Sequence, residues 1–292
     1  MIADAVATRT WYAPAKVNLA LHVTGRRDDG YHLIETLAVF TRFGDRIDIA
    51  PAESDGFSVS GPYADAVPRD ASNLALTARD ALRRAVGGVA APPVEIRLEK
   101  NLPVASGIGG GSSDAAAVLR GLVETWGLAL GEADQARLAA TLGADVPMCL
   151  KARPLIARGI GEQLSAVPEF SALGLVLVNP GRAVLTSDVF RALAKRDNEG
   201  LPPLPSRIEF HGLRDWLERT RNDLEVAART IEPSIGKALT ALERAGAGFV
   251  RMSGSGATCF GLFESGNMAK RAALDIRRRN PDWFVAATRS MT

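Results

Sequence analysis

An α+β fold in two parts is what this sequence predicts, and three observations predict it. Residues 11–24 have the two-residue period of a strand, with Val17, Leu19, Leu21 and Val23 alternating with Lys16, Asn18, Ala20 and His22. A short alternating strand over 94–98 runs into a loop holding four glycines and then into a helix. Past residue 150 helical and strand patterns are mixed, which sets a boundary around 150–180.

The elements follow in order. After the first strand, Asp28-Asp29-Gly30 signals a turn, and strands are expected at 36–40, 46–49 and 57–60. A helix over 72–85 starts at Ser72 as N-cap, and Pro92-Pro93 precedes the strand at 94–98. The helix over 113–126 keeps Ala115, Val118, Leu119, Leu122, Val123 and Trp126 on one stripe, with Ser112 or Ser113 as its cap. A third helix over 132–142 stops at Gly143. A buried strand at 175–178 ends at Asn179-Pro180-Gly181, and 200–206 is a surface connector. Helical stretches at 211–229 and 234–245, strands at 248–252 and 257–263, a helix over 267–279 and a strand at 283–287 complete the chain. The expected division is 1–165 and 166–292.

Composition narrows the function. The 292 residues are 47% hydrophobic and 23% charged, as in ordinary globular chains. With 35 basic against 33 acidic residues the net charge is +2, which argues against nucleic acid as the main partner. Arg277-Arg278-Arg279, the tight basic run, reads as a solvated helix end favoured by the helix dipole. No apolar stretch reaches the roughly 18 residues that span a bilayer. Residues 1–7 carry an early acid and no long apolar core, unlike a secretory leader. Cys149 and Cys259 fit no metal-ligand spacing and read as reduced, buried thiols. The expectation is a cytoplasmic protein, a monomer or weak homodimer, with no nucleic-acid or membrane partner.

The glycine loop carries the chemistry. Pro103, Val104, Ala105, Ser106, Gly107, Ile108, Gly109, Gly110, Gly111, Ser112 and Ser113 lie between a strand and a helix. Glycines let the backbone approach an anion, and the free N–H groups of a helix start point at it. No lysine follows Gly111, so this is not a Walker A loop, and Ser112 stands where a dinucleotide fingerprint needs its third glycine. Three further segments stand out: Pro14-Ala15-Lys16-Val17-Asn18-Leu19, Leu142-Gly143-Ala144-Asp145-Val146-Pro147 and Ser253-Gly254-Ser255-Gly256-Ala257. Asp145 precedes Val146-Pro147, where the chain is biased to turn. Read singly, Lys16 is a solvated lysine, Asp145 a turn device and 253–257 a hairpin turn. Together with the loop they are the parts of a phosphoryl-transfer site.

These segments resemble the GHMP kinase superfamily over nearly the whole chain, from about residue 11 to the last strand. Residues 103–113 are similar to its phosphate loop and 253–257 to its C-terminal glycine motif. Asp29-Gly30-Tyr31-His32 and the triple glycine at 109–111 narrow the resemblance to the members that act on a cytidine diphosphate conjugate. The resemblance implies a ribosomal S5 domain 2-like ATP-binding domain followed by a ferredoxin-like domain. It implies ATP-dependent phosphorylation of a 2-hydroxyl on the methylerythritol part of that conjugate, on the non-mevalonate route to isoprenoid precursors. Lys16 and Asp145 would form the catalytic pair, Asp145 accepting the alcohol's proton and Lys16 orienting that oxygen and Asp145. The loop residues 103–113 would hold ATP. Tyr31 and Phe190 would stack on the two sides of the cytosine, His32 would read its edge, and Asn18 would contact the substrate's polar head. Magnesium is required by ATP chemistry, with no metal ligand assigned and Asp114 open between a metal-bound water and a loop hydrogen bond. A mevalonate- or homoserine-type kinase and a catalytically silent ATP sensor are the alternatives; Tyr31-His32 argues against the first and the Lys16, Asp145 pair against the second. His22 reads as structural and His211 as exposed.

Overall fold

In the computed structural model residues 9–292 are described, so the reading of residues 1–7 lies outside them. Two strands open the chain, β1 (Arg9–Arg26) and β2 (His32–Pro51), and they pair with each other. Then come β3 (Gly56–Ser60), α1 (Leu74–Val86), β4 (Val94–Glu99), α2 (Gly110–Thr125), α3 (Glu132–Leu142) and α4 (Val146–Lys151). The remainder holds β5 (Leu155–Arg158), β6 (Gln163–Ala166), β7 (Gly174–Asn179), α5 (Thr186–Arg191), α6 (Phe210–Glu218), α7 (Glu225–Ile231), α8 (Ser234–Arg244), β8 (Phe249–Met252), β9 (Cys259–Phe263), α9 (Gly266–Arg279) and β10 (Phe284–Arg289).

The chain divides into two compact units, each built from separated segments. The first holds residues up to Pro14, Gly44–Val104 and Gly110–Lys151. In it the end of β2 pairs antiparallel with β4, and β3 pairs parallel with β4, the connection between them being α1. Ile47, Ile49, Ile96 and Leu98 alternate inward from these strands, and α1, α2, α3 and α4 pack on one another. The second unit holds Ala15–Phe43, Ala105–Gly109 and Ala152–Thr292. Here the first half of β2 pairs with β5, and β5 with β6. Its other sheet is antiparallel in the order β10-β7-β9-β8. With helices between β7 and β8 and between β9 and β10, this is the ferredoxin-like βαββαβ pattern that the resemblance implies. Val176, Val178, Cys259 and Phe263 face Ile235, Leu242, Ala269 and Ile276 of α8 and α9, which forms a buried core.

Several local expectations are corrected. The N-cap of α1 is Asn73, whose Oδ1 accepts from the Ala75 N–H at 2.9 Å, while Ser72 turns back to Asp70. Neither Ser112 nor Ser113 caps α2: the helix starts at Gly110, and the Ser113 hydroxyl donates to the Pro14 carbonyl at 2.7 Å. The strands expected at 36–40 and 46–49 are one strand, β2. The helix expected over 211–229 breaks between Glu218 and Glu225, where the buried Arg251 guanidinium takes the carbonyls of Leu217 and Thr220. Helices α4 and α5 and strands β5 and β6 were not foreseen. Both cysteines are buried and outside any disulfide, as expected, and no helix among the described residues is long and apolar enough to cross a membrane.

Candidate active site

In the second unit, β1 brings three of the singled-out segments together. The Lys16 backbone N–H donates to the Ile108 carbonyl at 2.9 Å, which ties the glycine loop to the strand. Two residues on, the Asn18 N–H donates to the Ser253 hydroxyl at 3.1 Å, and that hydroxyl donates to the Gly107 carbonyl at 3.0 Å. The Ser106 carbonyl accepts from the Thr258 N–H at 3.1 Å. Residues 16–18, 106–108 and 253–258 are therefore one hydrogen-bonded cluster. Gly107 shows why glycine is needed: its φ is +76°, and a Cβ there would lie 2.5 Å from the Ser253 carbonyl oxygen.

The polar face of β1 is buried. Lys16 is 4% and Asn18 1% exposed. The Asn18 amide donates to Thr36 Oγ1 at 2.8 Å, the Thr36 hydroxyl donates to the Ala20 carbonyl at 2.7 Å, and Asn18 Oδ1 is buried without a hydrogen-bond partner. A buried, unsatisfied amide oxygen carries a desolvation cost unless a ligand donor meets it. Sequence reasoning missed Thr36, which orients Asn18; its lone signal was a polar residue opening a strand of apolar neighbours. Ser255 of the singled-out 253–257 segment lies 2.8 Å from the hydroxyl of Thr186, a partner that sequence reasoning missed. His22 is structural as expected: its Nε2 accepts from the Arg221 N–H at 2.9 Å, and its Nδ1 lies 2.9 Å from the Glu199 carbonyl oxygen. His211 is exposed.

Farther along the same unit, the His32 ring stacks on Phe190 with centroids 4.7 Å apart and planes at 27°. His32 Nε2 is buried without a partner. Burial first, then the charges of Arg196 and Arg26, hold this imidazole below its ordinary pKa. Arg196 donates to the Arg191 carbonyl at 3.2 Å, and its Nε is also buried without a partner. Neither arginine carried a sequence signal, since single basic residues near a connector look like solvated surface. Tyr31 is 59% exposed at the turn before β2, with its N–H on Asp29 Oδ1 at 3.2 Å.

The first unit holds the rest. Pro103 and Val104 precede the loop's centre, and Gly110, Gly111, Ser112 and Ser113 form the first turn of the sixteen-residue α2, whose leading N–H groups have no intrahelical acceptor. Asp145 is half-buried where α3 gives way to α4, its carbonyl accepting from the Cys149 N–H at 3.1 Å. It thus stands at the N-terminus of α4, where Val146-Pro147 opens the helix rather than an extended turn. Asp114 Oδ2 accepts from Lys100 Nζ at 2.5 Å, and its Oδ1 is buried without a hydrogen-bond partner. Among the described residues no three His, Cys, Asp or Glu side chains gather to hold a metal ion.

Comparison with known proteins identifies the family. The family model described as the GHMP kinases N terminal domain matches residues 73–153, and the one described as GHMP kinases C terminal matches 207–282. A Mesorhizobium japonicum protein named 4-diphosphocytidyl-2-C-methyl-D-erythritol kinase is 70% identical over 287 residues, covering 98% of this chain and 97% of its own length. An Agrobacterium fabrum protein of the same name is 52% identical, covering 96% and 95%. A crystal structure of a 4-(cytidine 5'-diphospho)-2C-methyl-D-erythritol kinase superposes with a TM-score of 0.80 at 36% identity, over 97% of this chain and all of that one. A homoserine kinase from Cytophaga hutchinsonii shares the fold alone, with a TM-score of 0.68 at 17% identity over 100% of this chain and 97% of its own. The cluster built on the glycine loop and these full-length likenesses lead to one conclusion: the chain belongs to the GHMP kinase family, among relatives that carry the name 4-diphosphocytidyl-2-C-methyl-D-erythritol kinase.

Proposed function

We infer that this chain is an ATP-dependent kinase that phosphorylates the 2-hydroxyl of 4-diphosphocytidyl-2-C-methyl-D-erythritol, a step in non-mevalonate isoprenoid precursor synthesis. One observation carries the reading: a full-length relative at 70% identity, like another at 52%, is named for that kinase. The site chemistry supports it. A GHMP kinase uses ATP, and the loop residues 103–113 with the N–H groups opening α2 are suited to its phosphates. Magnesium is required by the phosphoryl-transfer chemistry to offset the charge of ATP, and no residue is assigned as its ligand.

In the proposed reaction the 2-hydroxyl oxygen attacks the γ-phosphorus, the bond from that phosphorus to ADP breaks, and the hydroxyl proton passes to the Asp145 carboxylate. Lys16 offsets the charge that develops on the attacking oxygen. The transition state is loose, so alignment and charge contribute more than covalent help. For the base, His32 and Phe190 supply a ring surface and a directional nitrogen, with Tyr31 on the exposed side and Asn18 toward the polar head. An unpartnered ring nitrogen supports this, because stacking accepts any base and selection needs a directional group. The proposed domains are 1–165, the N-terminal ATP-binding domain, and 166–292, the C-terminal domain, a reading supported by family matches that fall on either side of residue 165. Phosphorus NMR of the protein with MgATP and the conjugate tests the reading. A new phosphomonoester resonance is expected; turnover of mevalonate or homoserine instead would overturn it.

A further inference from the structure

Lys100 follows the last residue of β4, and its ammonium is buried. Nζ lies 2.6 Å from Asp45 Oδ2 and 2.5 Å from Asp114 Oδ2. Lys100, Asp45 and Asp114 are 3%, 0% and 4% exposed. Asp45 belongs to β2, and its other oxygen accepts the N–H groups of Asn101 at 2.6 Å and Leu102 at 2.8 Å, the residues that lead into the glycine loop. Asp114 belongs to α2, the helix that leads out of it. Lys100 also lies beside the first residue of that helix, close enough that a Cβ built on Gly110 would sit 3.2 Å from Nζ.

Stability alone does not account for such a group. Apolar residues of similar volume often replace a buried ion triad with no loss, whereas a charge network fixes relative positions through short, directional bonds. The parts fixed here are the strand, the entry to the loop and the exit from it. An anion cradle made of backbone N–H groups depends on such fixing, because phosphoryl transfer gains most from alignment. We propose that Lys100, Asp45 and Asp114 are positioning residues that clamp both flanks of the phosphate loop, so that the N–H groups opening α2 are preset for the nucleotide's phosphates. This deepens the kinase reading and rests on it for the identity of the nucleotide.

Asp114→Ala cuts the tie to α2 and leaves Lys100 and Asp45 as a balanced pair. The expected result is a folded protein whose KM for MgATP rises about tenfold, while KM for the cytidine conjugate stays within twofold of wild type. Asp114→Asn, whose amide oxygen still accepts from Lys100, should recover most of the loss. The triple variant Asp45→Asn, Lys100→Met, Asp114→Leu removes all three charges together, so that none is left buried without its partner, and should show the same nucleotide defect in a protein that still unfolds cooperatively. A folded Asp114→Ala or triple variant with unchanged KM for MgATP would overturn the proposal and leave the triad as packing. Titration calorimetry with MgADP gives the same answer without turnover. If wild type fails to phosphorylate the conjugate, the functional reading fails, and the MgADP affinities still decide the clamp.

Discussion

Asp145 illustrates how a residue's meaning depends on its neighbours. Its place before Val146-Pro147 suits an ordinary turn, and the structure gives it an ordinary backbone task at the start of α4. The proposed role as proton acceptor makes a separate demand on the side chain. Asp145→Asn keeps shape and burial and removes the basic oxygen. General-base assistance is worth roughly 10²–10⁴-fold, so kcat should fall by about that factor with KM for MgATP within twofold of wild type. Steady-state kinetics checks this, and a kcat near wild type would remove Asp145 from the chemistry. Lys16 and Asn18 were legible because the strand's alternation separates them from Val17 and Leu19. What alternation cannot show is that the polar face is covered too: residues 13–23 are buried on both faces, so the lysine is not the solvated one its neighbourhood suggests. Thr36 and Ser253, which fix Asn18, are 18 and 235 residues away, and no local pattern reports such partners.

The elements that were missed have physical reasons. Gly44 and Asp45 look like a break between two strands, yet β2 runs straight through them. A Cβ on Gly44 would lie 2.1 Å from the Ala13 carbonyl oxygen, so the glycine serves a close approach by β1 rather than a turn. Asp45 is there to receive Lys100 and the N–H groups of Asn101 and Leu102. The break between α6 and α7 depends on Arg251, a side chain from a later strand, while β5, β6 and α5 are too short for periodicity to resolve. A stability test belongs to the joint between α1 and β4. Asp55 takes two bonds from the Arg83 guanidinium of α1 and one from the Val94 N–H of β4. Chiefly through Arg83, its carboxyl is lowered to about 2. A depressed carboxyl stabilises the fold above the unfolded value of about 4, and that contribution is lost as pH falls through 2. Asp55 is partly exposed, so the contribution is discounted to about 1 kcal/mol. Asp55→Asn should lower stability by about that amount at pH 7, and the deficit should shrink between pH 4 and pH 2. Urea unfolding of both proteins across this range measures it; a deficit that does not change with pH would show that the carboxylate charge is not what holds the joint.

At the scale of the molecule, the βαββαβ order of the C-terminal sheet was within reach of sequence patterning, since β7, β8, β9 and β10 were each foreseen within a few residues. That architecture does not choose a substrate: kinases of different small molecules share the fold, and function resides in the side chains it presents. The two proposed ligands engage different residue sets, loop residues 103–113 for the nucleotide and Tyr31, His32 and Phe190 for the cytidine. Binding energy should therefore be separable by mutation. A ligand at a hundred times its Kd adds about 2.7 kcal/mol to stability, which for a chain of this size raises Tm by roughly 5 °C. In wild type, MgADP alone and the cytidine conjugate alone should each give such a shift. Phe190→Ala removes the ring on which His32 stacks at 4.7 Å. It should abolish most of the conjugate's shift and leave the nucleotide's shift intact. Differential scanning fluorimetry with each ligand separately reads both. Loss of both shifts in a variant that still unfolds cooperatively would mean that Phe190 serves the fold rather than the base. Retention of both would move the cytidine away from the His32 and Phe190 stack while leaving the nucleotide loop untouched.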